Sequence, residues 1–183
     1  MSGFVLAGDS SGAITLQANA VAGTNTITLP AETGTVLTTA TNHVFRAHAS
    51  ANVNGPINTF TKVAIDTVTI DTAGNSWNSV SRRFIPTSPG YYKIGAQVQV
   101  NMTGGGGFTI YAEIWKNGAV VTRYAQLINY GSGFNQTLNP IDTITMNGTT
   151  DYIEIYYWNN TGTAQYVPGS ASTYMTAEFL RGL

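Results

Sequence analysis

Residues 81–100, SRRFIPTSPGYYKIGAQVQV, place a proline-rich corner directly before a long alternating run. Pro86 ends one extended segment, and Pro89 fixes φ and withholds an N–H at the turn. Gly90 is predicted to permit a tight reversal there. From Tyr92 onward, apolar residues occupy every second position, which is typical of a strand with one buried face. The stretch therefore predicts a corner that leads into a half-buried β-strand.

The same alternation recurs through the rest of the chain. Phe108, Ile110, Ala112 and Ile114 repeat it after the glycine run at 104–107, and no stretch has helical periodicity. About eight short strands in roughly 140 residues predict an all-β, two-sheet sandwich, and the favoured form is a jelly roll. The further strands are predicted at residues 63–70, 120–130, 136–146, 151–158 and 173–180.

The composition limits the possible functions. Only 9% of the 183 residues are charged, the net charge is −1, and there is no cysteine. A neutral polar surface argues against nucleic acid, whose phosphates require a basic stripe. No run approaches the about 20 apolar residues of a membrane span, and the N-terminus lacks the pattern of a secretory signal. These features predict a virion component that is made in the host cytoplasm and released by lysis.

Residues 1–42 differ from the rest because they are rich in Thr, Ala and Gly and contain no Lys, Arg, Tyr or Trp. The runs at 13–17 and 26–29 alternate and predict a short hairpin, followed by a third run at 35–37. This segment has too little bulky apolar material for a core of its own. We therefore predict an attachment segment at 1–42 that docks on another virion protein, and a head domain at 43–183.

The run at 151–158 is apolar on both of its faces. Ile153, Ile155 and Tyr157 share one parity, and Tyr152, Tyr156 and Trp158 share the other. A strand that is apolar on both faces is covered on both faces. In a two-layer sandwich the second cover is expected to come from another subunit, so the pattern predicts an obligate oligomer.

Six short motifs resemble, in order, the globular heads of the complement-subcomponent-q family, which are related to the tumour-necrosis-factor jelly roll. The central one is Phe84-x-Pro86 followed by Pro89-Gly90-x-Tyr92. The resemblance implies a jelly-roll homotrimer with the chain ends at its base and the loops at the far end. The other motifs lie at residues 45–47, 63–75, 115–118, 147–152 and 172–180.

Residues 7–39 carry a second resemblance. AGDSSGAITLQANAVAGTNTITLPAETGTVLTT resembles a Gly/Thr-rich leader of bacteriophage tail-fibre and related virion proteins. This resemblance implies assembly onto a virus particle through the tail, the baseplate or the capsid.

Catalytic and metal-binding patterns are not found in the sequence. His43 and His48 lie where no Ser or Asp motif completes a triad. The aspartates do not form a D-x-D-x-D-G calcium loop. The sequence therefore predicts no catalytic residue, no metal and no cofactor, although a glycan-degrading enzyme stays a distant alternative.

The aromatic residues divide into two predicted groups. Those in or beside loops are candidates for contact with a host-surface glycan or protein, because binding residues usually lie on loops: Trp77, Tyr130, Phe134 and Tyr166. Those within strands are predicted in the core or the trimer interface: Tyr91, Tyr92, Tyr152, Tyr156 and Trp158. Tyr111 is also predicted in the core or the trimer interface.

Together these features predict a homotrimeric phage fibre that is attached by residues 1–42 and binds a receptor through its jelly-roll head. The alternative is a capsid decoration protein or head fibre that stabilises the shell.

Overall fold

The computed structural model describes residues 3–7, 13–17, 43–102, 106–130, 134–160 and 164–183, and the regular structure in these residues is entirely β-strand. Among them, no helix is long and apolar enough to cross a membrane. The chain divides into two units, Met1–Thr35 and Val36–Leu183.

The first unit contains an antiparallel pair, β1 (Gly3–Ala7) and β2 (Ala13–Gln17), with Phe4 opposite Leu16. The strand predicted at 13–17 is confirmed, but its described partner precedes it in the chain. Five residues, GDSSG, separate the two strands in the sequence. The predicted runs at 26–29 and 35–37 lie outside the described residues.

The second unit consists of two antiparallel sheets, as the sequence predicts. The six-stranded sheet has the order β11-β10-β14-β8-β7, with β5 also paired to β14. Its strands are β5 (Thr61–Lys62), β7 (Trp77–Asn78), β8 (Arg83–Phe84), β10 (Gly106–Lys116), β11 (Ala119–Tyr130) and β14 (Ile153–Asn159).

The eight-stranded sheet has the order β4-β15-β9-β16-β3-β6, and β12 and β13 also pair with β9. Its strands are β3 (Val44–Ala49), β4 (Val53–Asn54), β6 (Ile65–Asp71), β9 (Gly90–Met102), β12 (Phe134–Leu138), β13 (Ile141–Met146), β15 (Ala164–Tyr166) and β16 (Tyr174–Gly182).

β9 is the central strand of the eight-stranded sheet, and its alternation is confirmed. Its even-numbered residues from Tyr92 to Val100 are buried, while Lys93 is exposed. The single strand predicted at 136–146 is instead two strands that pair with successive parts of β9. The break falls at Pro140, which has no N–H for a ladder but accepts a hydrogen bond from Ala96 N at 3.0 Å.

The corner quoted from the sequence is closed by Tyr92. Its hydroxyl donates to the carbonyl of Ser88 at 2.9 Å, and its ring meets Phe84 and Phe179 edge to face. Gly90 is the first residue of β9 and is not among the glycines with positive φ, so it belongs to the strand rather than to the reversal. A side chain at Gly90 would run into the Phe179 ring and the carbonyl of Arg181, so the close approach of β16 requires glycine.

Two buried tyrosines, Tyr92 and Tyr157, make the stability of the fold depend on pH in the alkaline range. Burial raises the pKa of Tyr92 and of Tyr157 from 10.0 to about 12, although each hydroxyl also has a backbone partner. Because the folded pKa is raised, the stabilisation is complete below pH 10 and is lost as the pH rises towards 12.

We expect the unfolding free energy to fall by about 1–2 kcal/mol per tyrosine between pH 9 and pH 11. Urea denaturation across this range measures the slope, and Tyr157→Phe should reduce it. An unchanged slope in Tyr157→Phe would show that lysines or other groups control alkaline stability.

Candidate ligand-binding face on the six-stranded sheet

The outward side of β10 and β14 carries large aromatic and charged residues. Because side chains alternate, Ile110, Ala112 and Ile114 fill the core, and their neighbours along β10 point away from it. β14 behaves in the same way. With the ring of Phe60, which precedes β5, these outward residues form what we call the aromatic face: Phe60, Tyr111, Glu113, Trp115, Glu154, Tyr156 and Trp158.

The rings of the aromatic face stack in pairs across the two strands. Tyr111 and Trp158 lie 4.8 Å apart at 21°, and Trp115 and Tyr156 lie 4.3 Å apart at 28°. Phe60 lies 5.9 Å from Trp115 and 6.4 Å from both Tyr111 and Trp158. The rings therefore cover much of each other's flat surface.

This packing changes the interpretation of the doubly apolar strand. Tyr156 and Trp158 are half-buried within a single chain, covered by Phe60 and by rings of β10. The second cover that the sequence argument assigned to another subunit is thus supplied largely by the same chain. The apolar pattern of β14 alone does not require an oligomer.

Each of the two strands of the aromatic face, β10 and β14, carries one buried carboxylate. Glu113 is 0% exposed; its Oε1 accepts from Arg123 Nε, and its Oε2 accepts from Trp115 Nε1 at 2.6 Å. The Arg123 guanidinium lies 4.7 Å from the centre of the Tyr111 ring. This ion pair joins β10 to the edge strand β11.

Glu154 is 2% exposed, and its Oε1 accepts from both Lys62 Nζ and Arg83 Nε. Burial by itself would raise the pKa of Glu154, but the hydrogen bonds and charges of Lys62 and Arg83 outweigh it and lower that pKa. Arg83 lies 3.8 Å from the centre of the Tyr152 ring. Glu154 is therefore ionised at neutral pH and fixes two cations at the face.

The two carboxylates are poorly suited to hydrolysis. Glycosidases need one carboxylic acid with a raised pKa and access of both groups to the substrate. The pKa of Glu154 is lowered, and both Glu113 and Glu154 are buried and bonded to cations. The arrangement presents ordered cations and aromatic edges to solvent, which is chemistry for binding.

The predicted loop candidates have different positions. Tyr166 is wrongly placed by the sequence argument: it lies in β15, is 0% exposed, and accepts a hydrogen bond from Ala64 N. Trp77 lies in β7, half-buried against Phe45 at 5.4 Å. Tyr130 is the last residue of β11 and Phe134 is the first residue of β12; their side chains are not among those that the structure describes. Trp77 and Tyr166 lie on different sheets and do not form one site.

The predicted core or interface candidates also separate. Tyr92 lies in the core, and Tyr91 lies on the outer side of β9 with Arg181 over its ring at 4.9 Å. Tyr152, Tyr156 and Trp158 lie on the outer side of the six-stranded sheet, with Tyr152 at its margin under Arg83.

Sequence reasoning missed the charged members of the aromatic face. Glu113 and Glu154 are strand residues in a chain with nine acidic residues, and each interrupts an otherwise apolar run. A carboxylate in such a run needs a cation when it is buried. This pattern could have identified Glu113 and Glu154 as buried carboxylates, but it does not predict which cations pair with them.

A second surface feature lies on the outer side of the eight-stranded sheet. A groove of about 490 Å³ is lined in part by Gly95 and by the exposed apolar side chains of Ile70 and Ile141. Its charged residues are Arg46, Lys93 and Glu178. Among the described residues, no group of three His, Asp or Glu side chains could hold a metal ion.

Comparison with solved structures defines the class of fold as the jelly roll of tumour necrosis factor and complement 1q. Eiger TNF from S. frugiperda matches with a TM-score of 0.60 at 8% identity, covering 78% of this chain and 94% of that chain. The globular domain of zebrafish complement 1qA matches with a TM-score of 0.54 at 10% identity, covering 78% and 99%. Murine APRIL matches with a TM-score of 0.57 at 11% identity, covering 76% and 99%.

No protein-family model matches this sequence, and no curated protein is significantly similar to it. At these identities the likeness to solved structures establishes the fold alone.

Proposed function

We propose that the chain is a structural bacteriophage protein, a homotrimeric fibre that binds a host-surface receptor through its jelly-roll head. Residues 1–42 attach the fibre to the tail, the baseplate or the capsid. The leader-like sequence, the scarcity of charge and the jelly-roll fold support this function. The aromatic face is the observation that carries the receptor-binding part, because it holds cations and rings in fixed positions on an outer surface.

Two different apolar surfaces support the trimer. β11 is an edge strand with only β10 as its described partner, and it exposes Val120, Val121, Tyr124 and Leu127. The groove near Gly95 is apolar at Ile70 and Ile141. Contact between unlike surfaces of successive protomers closes into a ring when the rotation allows it. We place this contact on the side of β11 that carries Tyr124, which is opposite to the side that carries Arg123, so the β11 edge fits the groove of the next protomer and the outer side of the six-stranded sheet stays open.

Deletion of residues 1–42 tests the attachment role. We expect residues 43–183 to remain a soluble trimer, measured by sedimentation equilibrium, and to be absent from purified particles. Because the truncated head retains both apolar surfaces, loss of incorporation can then be assigned to the leader. Normal incorporation of the truncated chain would overturn the attachment role, and a monomeric head would overturn the trimer.

The number of copies per virus particle distinguishes a tail fibre from the alternative function, capsid decoration. A tail appendage is expected in tens of copies per particle at most, and a decoration protein in hundreds. Quantitative protein gels of purified particles measure this number.

A further inference from the structure

We propose that the aromatic face binds an acidic polysaccharide through the guanidinium groups of Arg83 and Arg123. This inference rests on the proposed receptor-binding function and names the chemical class of its ligand.

The two arginines are held in the same way at opposite ends of the face. Arg123 donates from Nε to the buried Glu113 and lies 4.7 Å over Tyr111. Arg83 donates from Nε to the buried Glu154 at 2.8 Å and lies 3.8 Å over Tyr152. In each case a carboxylate fixes one edge of the guanidinium and a tyrosine ring fixes its plane.

Both arginines keep their other donor edge towards solvent. No described residue accepts a hydrogen bond from the Nη atoms of Arg83 or Arg123, and their side chains are 35% and 47% exposed. A guanidinium presents two parallel N–H donors that match a carboxylate or sulfate. Because these two are already fixed in position, they lose little side-chain entropy when an anion binds.

The charge of the face favours an anion. The face has three basic side chains, Lys62, Arg83 and Arg123, which pair with two acidic ones, Glu113 and Glu154. Their net charge is therefore +1. The whole chain carries −1. Three of its eight basic residues therefore converge on one outer surface.

The separation of the two arginines selects a chain with spaced anions. β11, β10, β14 and β8 are neighbours in that order, and the two arginines reach from the outer strands to Glu113 on β10 and Glu154 on β14. These glutamates lie on neighbouring strands, two residues out of register, so their backbones are about 8 Å apart. The stacked rings of Trp115 and Tyr156 lie between the two ion pairs. A nucleic acid strand, with one charge per about 3.4 Å, would leave phosphates unpaired over these rings. A polysaccharide places neutral sugar surface there and its acidic groups at the arginines.

Binding of the full-length chain to hyaluronate, which carries a carboxylate on every second sugar, tests the inference by isothermal titration calorimetry. Carboxyl-reduced hyaluronate is the matched neutral polymer. We expect binding to hyaluronate that weakens as salt is added, and none to the reduced polymer. Arg83→Lys and Arg123→Lys keep the charge but lose the paired donors, so each should weaken binding roughly tenfold or more. κ-Carrageenan, which carries a sulfate on every second sugar, is compared with its desulfated form in a second arm; binding only in that arm would support the site and assign sulfate as its anion.

Arg181→Lys is the control variant because Arg181 also lies over a tyrosine, Tyr91, at 4.9 Å, but on the other sheet and without a carboxylate partner among the described residues. It should bind like the parent chain. If a lysine variant fails to fold, the neutral double variant Glu113→Gln with Arg123→Gln replaces it and should also bind weakly. Equal binding by parent and arginine variants, or equal binding to neutral polymers, would overturn the inference.

The outcomes separate this inference from the proposed function. If particles need the head for adsorption but the purified chain binds no acidic polymer, the ligand class is wrong and the proposed function stands. If the chain binds acidic polymers through Arg83 and Arg123 but is absent from particles, the proposed function is wrong and the site stands.

Discussion

Gly148→Ala is expected to destabilise the head by about 2–5 kcal/mol. Gly148 has a φ of 73°, which is unfavourable for any residue with a Cβ. A methyl group there would also lie 2.5 Å from the carbonyl carbon of Ser88 and 2.8 Å from Cδ of Pro89. These atoms belong to the rigid proline corner, so they have little room to move.

Gly74→Ala is the matched control for this substitution. Gly74 has a similar φ of 79°, but an added methyl group would meet nothing within 4 Å. It should cost only about 1 kcal/mol, from the backbone conformation alone. In thermal denaturation the melting temperature should fall by roughly 5–15 °C for Gly148→Ala and by roughly 2–4 °C for Gly74→Ala. Equal decreases in melting temperature would mean that contact with the proline corner does not add to the destabilisation of Gly148→Ala.

Phe45→Ala is expected to cost about 3–5 kcal/mol. Phe45 lies on β3 of the eight-stranded sheet and is 2% exposed. Its ring lies 5.4 Å from Trp77 and 5.0 Å from Phe84, both on the six-stranded sheet. Truncation leaves a cavity between the sheets where rigid aromatic neighbours cannot collapse.

Phe60→Ala removes the same side chain from the outer surface. Phe60 is half-buried on the aromatic face, and solvent can replace part of its contacts. The expected cost is roughly 1–2 kcal/mol. Guanidinium chloride denaturation of both variants compares them directly, and a larger loss for Phe60→Ala would show that the aromatic face, rather than the space between the sheets, dominates stability.

The sequence predicted much of the β structure because alternation is a local pattern. Every second residue of β9 and β10 could be assigned to the core from parity alone. The short strand around Tyr166 could not be predicted in this way. β15 has only three residues, and the burial of Tyr166 comes from residues distant in the chain, among them the Tyr157 ring at 5.5 Å and Ala64.

The candidate site was less predictable because its contacts join distant residues. Glu154 meets Arg83, 71 positions away, and Lys62, 92 positions away. The sequence predicted that another subunit covers the rings of β14, whereas in the structure β10 and Phe60 cover them. Such contacts depend on strand order and register, which no periodicity in the sequence encodes.

The sequence by itself determined that this chain is an all-β sandwich, which residues of its long strands point inward, and where the proline corner lies. Only the tertiary structure decided that the corner is held by Tyr92 and packed against Gly148, and that two arginines are fixed on one outer face. The physical reason is that alternation depends on neighbours along one strand. The corner and the face depend on contacts between strands that are far apart in the chain.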